Sequence, residues 1–377
     1  MTRLLEPSEV FHAFLDWQTG FEVEVPAQVT PDAAARALER LYAGFPRLAA
    51  GIGRTPDGFA FEPGSATVER RPDGARVHAT LSAFDVDLSQ PDVVRVAGRL
   101  HHALCDVTGI LSMADELLGL LGAGPHADSI PPEVAREWPI AAETLFGPEQ
   151  PADAVRATRL FYAQAGSPSL KPAQPISLTL SGERAKALDD RCDVSLTALI
   201  AATVAPLTHG DTDRVTIGVP VDCRVYIGTD RTVPVPPRAI GNGSHGALVP
   251  IARGSADVLA TASAFDDELM DQLEAATPTA PFRDGRRYLP EHNGPAHLVV
   301  SNARGAARRF PRLADARKVI VLPEVSIPGM PMIAVNESPA TRAVVITVIA
   351  DPADHTSTDV RQIVDTLARA LDGIGER

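Results

Sequence analysis

The chain has 377 residues, more than one hydrophobic core usually holds, so we expect two domains of ordinary size. Apolar residues make up 45% of the chain and charged residues 22%, which is typical of a folded protein and excludes general disorder. The formal net charge of −13 argues against nucleic acid as the main partner, because phosphate binding needs basic surface.

Membrane and metal sites are not expected either. The longest apolar run, 196–207, is about half of the roughly 20 residues that cross a bilayer, and the N-terminus lacks the apolar core of a signal peptide. Cys105, Cys192 and Cys223 are widely separated and give neither a disulfide framework nor a metal site. These features favour a cytoplasmic protein without a metal and without a permanently bound cofactor.

The first part of the chain alternates strands and helices. Thr30 can cap a helix with Pro31 in its first position, and the segment 93–100 is an apolar strand that runs into two histidines. We predict strands at 21–25, 48–52, 58–61, 77–81 and 93–100, and helices at 31–42 and 109–121.

The second part repeats this alternation after a stretch rich in Pro, Ala, Gly and charge at 124–174. We predict strands at 176–180, 215–221, 247–251, 296–301, 319–325 and 343–349, and helices at 151–165, 182–191, 195–207 and 357–371. This order predicts an α/β fold with an N-terminal lobe at 1–150, a crossover at 151–175 and a C-terminal lobe at 176–377.

The segment 101–106 reads His-His-Ala-Leu-Cys-Asp and lies where a strand ends and a helix is about to start. Strand side chains alternate between faces, so one of His101 and His102 can line a channel while the other packs. An imidazole that titrates near neutrality can take a proton from a hydroxyl or an amine. Cys105 is predicted to be buried and unreactive, because no basic group activates it.

This segment resembles the signature His-His-Ala-Val-Cys-Asp-Gly of chloramphenicol acetyltransferases, which share a His-His-x-x-x-Asp motif with peptide-synthetase condensation domains and polyketide-associated acyltransferases. The resemblance implies that His102 is the general base, that His101 packs, and that Asp106 supports the site through an arginine from the other half of the chain. The nearest branch is that of the polyketide-associated acyltransferases typified by phthiocerol dimycocerosyl transferase.

Further signatures follow in the family's order. The strand 217–224 ends in Val-Asp-Cys-Arg, which resembles the family's Val-Asp-x-Arg and makes Arg224 the predicted partner of Asp106. The segments Ile-Gly-Asn at 240–242 and Leu-Val-Pro at 248–250 resemble a condensation-domain pattern. Ser301 and Asn302 resemble the family's Ser-Asn strand near the donor channel, where a hydroxyl could help to hold a developing oxyanion.

The resemblance implies two lobes of the acetyltransferase type, each an α/β sandwich, arranged as a V around a central tunnel. It further implies an acyltransferase that moves an acyl group from coenzyme A or an acyl-carrier-protein thioester to a hydroxyl or amine acceptor in natural-product biosynthesis. We expect a monomer. One departure is Val107, where the family has Gly, and the aromatic block of the plant branch is absent.

Two alternatives remain open. A relative without catalytic activity could bind a carrier protein or recruit a partner, and condensation-like domains also include cyclising and epimerising branches.

The segment 283–318 holds nine basic residues against three acidic ones. This segment is either a solvated face or a docking site for the phosphates of coenzyme A or an acidic carrier protein, through Arg304, Arg308, Arg309 and Arg312.

Overall fold

The computed structural model describes residues 3–123, 152–165, 170–172, 174–208, 213–226, 241–254, 257–283, 287, 296–327 and 329–375. Its helices are α1 (Pro7–Leu15), α2 (Pro31–Gly44), α3 (Val107–Leu120), α4 (Ala152–Gln164), α5 (Gly182–Arg191), α6 (Leu196–Val204), α7 (Val258–Glu274), α8 (Ala280–Arg283) and α9 (Ser357–Gly375). The described helices include none with the length and apolar character needed to cross a bilayer.

Its strands are β1 (Arg3–Leu4), β2 (Gln18–Pro26), β3 (Gly51–Thr55), β4 (Gly58–Glu62), β5 (Thr67–Arg71), β6 (Gly74–His78), β7 (Ser82–Asp87), β8 (Val93–His101), β9 (Lys171–Pro172), β10 (Ile176–Leu180), β11 (Arg214–Asp222), β12 (Ser244–Ala252), β13 (Leu298–Asn302), β14 (Lys318–Pro323), β15 (Val325–Ser326), β16 (Met332–Glu337) and β17 (Val344–Ile349). The α/β class is confirmed: two six-stranded sheets each pack against helices over their own apolar core.

The first sheet has the order β14-β2-β8-β7-β6-β5. Strand β2 alternates buried and partly exposed residues, as the period of two in a half-buried strand requires. Helix α2 packs against β5 and β6, and it starts where the Thr30 side chain accepts a hydrogen bond from the backbone N–H of Ala33. The sequence therefore specifies both the start of this helix and the face of the sheet that it covers.

The second sheet has the order β10-β17-β16-β13-β11-β12, with β13 parallel to both β11 and β16. Helix α6 is buried along its whole length between this sheet and its neighbouring helices. The long helix α9 packs on α5, α6 and β10. The carboxyl ends of β11 and β13 carry the sequence signatures that were singled out at 217–224 and 301–302.

Two elements that follow the expected N-terminal lobe in sequence pack against the first part of the chain. Strand β14 comes from the C-terminal part but pairs antiparallel with β2 at the edge of the first sheet. The buried Asn336 of β16 holds it there, because its side chain accepts from the Val321 N–H at 2.9 Å and donates to the Val321 carbonyl at 3.3 Å. Helix α4 packs on α1 and β4, with Arg159 Nε donating to the Leu5 carbonyl.

Several element predictions need correction. The predicted strand at 48–52 is a short 3-10 turn at Pro46–Ala49 followed by β3, because Pro46 favours a turn before the strand. Helices α1 and α7 and strands β5, β7 and β16 were not predicted. The helix predicted at 151–165 is confirmed as α4, and the stretch 124–150 lies outside the described residues.

Candidate active site

His101 and His102 leave the end of β8 in different directions. His101 is 1% exposed. Its Nδ1 accepts a hydrogen bond from the Ala103 N–H at 3.1 Å, and its Nε2 lies 3.5 Å from Asp16. A hydrogen bond between the His101 and Asp16 side chains holds the pKa of Asp16 below its usual value. His101 is therefore a packing residue at the strand end.

His102 instead lines a cavity between the two cores. Its ring stacks on that of His12, with the centroids 4.2 Å apart and 12° between the planes. The centroid of the Trp17 ring lies 5.4 Å from that of His102, with 67° between the planes. The backbone N–H of His102 donates to the Trp17 carbonyl at 2.7 Å. Desolvation lowers the pKa of His102 below 6.5, so its imidazole is neutral at neutral pH and able to take up a proton.

Asp106 caps α3 and forms a buried ion pair. Its Oδ1 accepts from the Gly109 N–H at 3.0 Å, and its two oxygens accept from Arg224 Nη1 at 2.8 Å and Nη2 at 3.1 Å. Asp106 is 2% exposed. Burial opposes its charge, but Arg224 outweighs burial and holds the pKa of Asp106 below its usual value. The carboxylate thus joins the start of α3 to the end of β11.

Asn242 carries this network to the imidazole, a role that the sequence did not assign. Arg224 Nη2 donates to the Gly241 carbonyl at 2.6 Å, and the Gly243 N–H donates to Asp106 at 2.8 Å. The side-chain Nδ2 of Asn242 between them lies 3.0 Å from His102 Nδ1 and 3.3 Å from the His102 carbonyl oxygen. The Asp106–Arg224 ion pair therefore holds the loop 241–243 in place, and Asn242 in this loop positions the ring of His102.

Val107, at the position of the family's glycine, is the first residue of α3, and its side chain lines the cavity. The close approach in this turn falls two residues later, where a Cβ at Gly109 would lie 2.6 Å from Cβ of Cys105. Glycine is therefore required at 109, and the valine at 107 narrows the cavity without disturbing the capping contact of Asp106.

The cavity has a volume of about 300 Å³, at the lower end of the range for small-molecule pockets. Strands of both six-stranded sheets contribute to its wall, which is mostly apolar, and none of its described lining residues is Asp, Glu, Lys or Arg. Burial lowers the pKa of His12 well below its usual value and that of His245 to about 4. At neutral pH the described wall therefore carries no charged side chain. Its residues are Ser8, Phe11, His12, Trp17, Thr19, His102, Val107, Gly218, Pro220, Ser244, His245, Gly246, Leu248, Ala296, Val299, Ser301, Val321, Pro323, Met330, Met332 and Ala334.

The two residues singled out for an oxyanion separate in the structure. Ser301 lines the cavity. Asn302 does not line it, because its Nδ2 donates to Thr197 at 2.9 Å and its Oδ1 accepts from the Arg304 N–H at 2.9 Å. The wall also contains the hydroxyl groups of Ser8, Thr19 and Ser244, which the sequence did not single out.

The four arginines that were singled out for docking all take part in ion pairs within the chain. Arg304 pairs with Asp189 and Glu337, and Arg308 also pairs with Glu337. Arg309 pairs with Asp222 at 3.1 Å.

Arg312 is 5% exposed and pairs with the buried Asp115 at 3.0 Å, so it braces α3 instead of forming part of a docking surface. Arg308 and Arg309, with 43% and 57% of their side chains exposed, are the candidates that still reach solvent.

Other reactive groups do not compete with His102. Burial raises the pKa of Cys105 and raises that of Cys223 to about 12, so neither is a thiolate nucleophile. Asp222 is occupied by Arg224, Arg309 and Thr108 at the end of β11. In the described part of the chain no three His, Cys, Asp or Glu side chains are grouped as a metal site would require.

No family model and no curated protein sequence matches the chain. Solved structures do match it over its full length. Polyketide synthase associated protein 5 from Mycobacterium tuberculosis is 16% identical, with a TM-score of 0.69 and 98% of that chain covered. The TRI3 trichothecene 15-O-acetyltransferase from Fusarium sporotrichioides is 14% identical, with a TM-score of 0.66 and 94% covered.

A starter condensation domain of rhizomide synthetase, a variant in complex with C8-CoA, is also 14% identical, with a TM-score of 0.65 and 95% covered. The chain therefore shares its fold with these proteins. In this chain the segment 101–106 begins at the end of β8, and His102 lines the cavity between the two sheets.

Proposed function

We propose that the protein is an acyltransferase that moves an acyl group from a thioester to a neutral hydroxyl acceptor, with His102 as the general base. The observation that carries this proposal is the position of His102. It is a neutral imidazole in the wall of an uncharged cavity, held through Asn242 by the Asp106–Arg224 ion pair. Such a group can take up a proton within the cavity without a metal or a thiolate.

In the proposed reaction His102 takes up one proton and later returns it. His102 takes the proton of the acceptor hydroxyl, and the oxygen attacks the carbonyl carbon of the thioester. The tetrahedral intermediate then collapses, the carbon–sulfur bond breaks, and the imidazolium returns its proton to the leaving thiolate. The hydroxyl of Ser301 lines the cavity and is the side-chain donor that we propose for the oxyanion, whereas the Ser244 hydroxyl donates to Asn242 Oδ1 at 3.2 Å.

The wall favours an ester over an amide product. An amine acceptor is an ammonium ion at neutral pH, and an amino acid also carries a carboxylate. Both would have to lose water in a cavity whose described wall offers no opposite charge. A neutral alcohol and an aliphatic acyl chain meet no such cost.

For the acyl donor we propose only a chemical class, a thioester. The neighbour in complex with C8-CoA supports a coenzyme A thioester as the co-substrate. Arg308 and Arg309, a few residues beyond the Ser301 strand, are the exposed cations that could meet its phosphates or an acidic carrier protein. We propose that the protein acts in the cytoplasm, where its three free cysteines stay reduced.

The test is transfer from a panel of acyl-CoA donors to alcohol and amine acceptors, with products identified by mass spectrometry. His102→Ala should lower turnover by roughly a hundred- to ten-thousandfold. His78→Ala is the matched control, because His78 is exposed on β6 and does not line the cavity. Unchanged turnover in His102→Ala would refute the role of His102, and amide products alone would refute the choice of acceptor.

No transfer by the wild type with any donor would favour a relative without catalytic activity. Such a protein should still bind a carrier protein, which can be measured directly in the same samples.

A further inference from the structure

Gly246 lies in the interior of β12, where an unbroken antiparallel register with β11 pairs it with Pro220. Its φ angle is not in the left-handed region, and the continuous register leaves no bulge at this position. A Cβ built on Gly246 would meet no other heavy atom within 4 Å in the described structure. Neither the backbone conformation nor the described packing therefore requires a glycine here.

The other glycines in the interior of described strands each have a close neighbour. A Cβ at any of the four would come within 3.3 Å of a neighbouring atom: Gly20, Gly53, Gly98 and Gly218. A glycine inside a strand costs conformational entropy and adds no side chain to the packing, so it often marks a place where a ligand comes close. Gly246 differs from these four because its side of the strand faces open space.

The side chains of β12 alternate between two environments. Ala247 and Val249 belong to the second apolar core, so the positions between them point to the opposite face of the sheet. Gly246 and Leu248 lie on that face, and both line the cavity that holds His102. The open space at Gly246 is therefore part of this cavity.

This space lies close to the proposed base. Ser244, two residues before Gly246 in β12, donates to Asn242 Oδ1 at 3.2 Å, and Asn242 Nδ2 lies 3.0 Å from His102 Nδ1. Two residues of a strand span about 7 Å. Gly246 therefore clears space about one strand repeat from the residues that position the base.

The cavity has chemically different ends across the second sheet. Strand β16 contributes the apolar Met332 at one end, and β12 contributes Ser244 and His245 at the other, three strand spacings or about 14 Å away. Asn242 lies two residues before β12, so it holds His102 towards the β12 end. The acceptor hydroxyl must meet the base, which assigns the acceptor to the β12 end and an aliphatic acyl chain to the β16 end.

We infer that Gly246 is a specificity-determining residue, which leaves room for a second carbon branch beside the reacting hydroxyl and so admits secondary alcohols as acceptors. The inference rests on the proposed acyl transfer and names its acceptor class. A primary alcohol has only hydrogens at the place of this branch and does not need the space. A side chain at position 246 would occupy it.

The test compares 1-octanol with 4-octanol, which have the same formula and differ in the branching at the hydroxyl. Calorimetric titration of the intact protein measures a dissociation constant for each alcohol without turnover. We expect the wild type to bind both, and Gly246→Val to weaken the binding of 4-octanol by roughly 10- to 200-fold with little change for 1-octanol. Gly254→Val is the matched control, because a Cβ at Gly254 also meets open space and Gly254 does not line the cavity.

Two results in this titration would overturn the inference. One is a wild type that does not bind 4-octanol. The other is a Gly246→Val variant that binds both alcohols as the wild type does, or that weakens both equally.

The melting point separates a role in specificity from a role in the fold. Gly246→Ala should melt at the same temperature as the wild type or about 1 °C higher, because alanine loses less conformational entropy on folding. Gly218→Ala should melt lower, because its Cβ would lie 3.3 Å from Ala296 and Val299. A clear decrease for Gly246→Ala would show that the fold needs this glycine and would overturn the inference. If Gly246→Val does not fold, Gly246→Ala is titrated instead, with a smaller loss of 4-octanol binding expected.

The product assay distinguishes this inference from the proposed function. In Gly246→Val the kcat/KM for 4-octanol should fall relative to that for 1-octanol, while the ratio between acetyl-CoA and octanoyl-CoA stays unchanged. A changed donor ratio with an unchanged acceptor ratio would place the acyl chain at Gly246 and overturn the inference. A wild type that discriminates as expected in the titration but transfers no acyl group would refute the proposed function and leave the binding role of Gly246 supported.

Discussion

Replacing Arg224 by Met should destabilise the protein strongly, because Asp106 would keep a buried negative charge without its partner. The carboxylate loses two hydrogen bonds from Arg224 and retains only the N–H groups of Gly109 and Gly243. Removing one partner of a buried ion pair costs about 3–5 kcal/mol. The unfolding entropy is about 2.1 cal/mol/K per residue, and the chain has 377 residues. For a single cooperative transition, this loss of unfolding free energy corresponds to a melting-point decrease of roughly 4–6 °C.

The melting-point difference between the wild type and Arg224→Met should depend on pH. In the wild type the pKa of Asp106 lies below 3.8, so the stability that the pair contributes is present above that pH and lost as the pH falls through the lowered pKa. Without Arg224, burial raises the pKa of Asp106, and protonation then relieves the penalty. The difference in melting point should therefore shrink as the pH falls from 7 towards 3.8.

Calorimetry over this pH range is the assay. Arg309→Met is the matched control, because it removes an exposed ion pair to Asp222 that contributes no more than about 1 kcal/mol. An unshifted melting point for Arg224→Met, or a shift equal to that of Arg309→Met, would refute the reasoning.

Two further predictions concern activity. The lowered pKa of His102 should place the acidic limb of the kcat/KM profile below pH 6.5. Activity should be lost as the pH falls through that pKa, because the base becomes protonated. An acidic limb above pH 6.5 would contradict the desolvation argument. Met332→Trp should narrow the cavity and shift the donor preference to shorter acyl chains. The preference is measured as relative kcat/KM for acetyl- to decanoyl-CoA. Met270→Trp, on the exposed face of α7, should leave this preference unchanged.

Local sequence signals predicted the elements that have strong caps and clear periodicity. Thr30 with Pro31 predicted α2, and the apolar run before the two histidines predicted β8. Helix α1 was missed because its capping box is built from Glu6 and Glu9 instead of the usual Ser or Thr. Strand β16 was missed because it ends in polar residues, whose partners come from other elements.

For the site, the sequence predicted residues that share a motif and missed those that only the fold brings near. The motif and the strand signature singled out Asp106 and Arg224, whose side chains meet in the structure. His12 is far from His102 in sequence, and α1 brings it to the ring. Arg312 was proposed for docking because charge counts cannot show burial, and Asp115 holds it inside the protein.

The placement of β14 has a consequence for how the chain can fold during synthesis. Until residues 318–323 have been made, β2 has an unpaired edge of backbone N–H and C=O groups next to β8. The first core also lacks Leu313, Val319 and Val321, which are part of its apolar cluster. A fragment that ends at residue 150 would therefore expose both a sheet edge and part of its interior. The motif-bearing half becomes a complete folding unit only when most of the chain has left the ribosome.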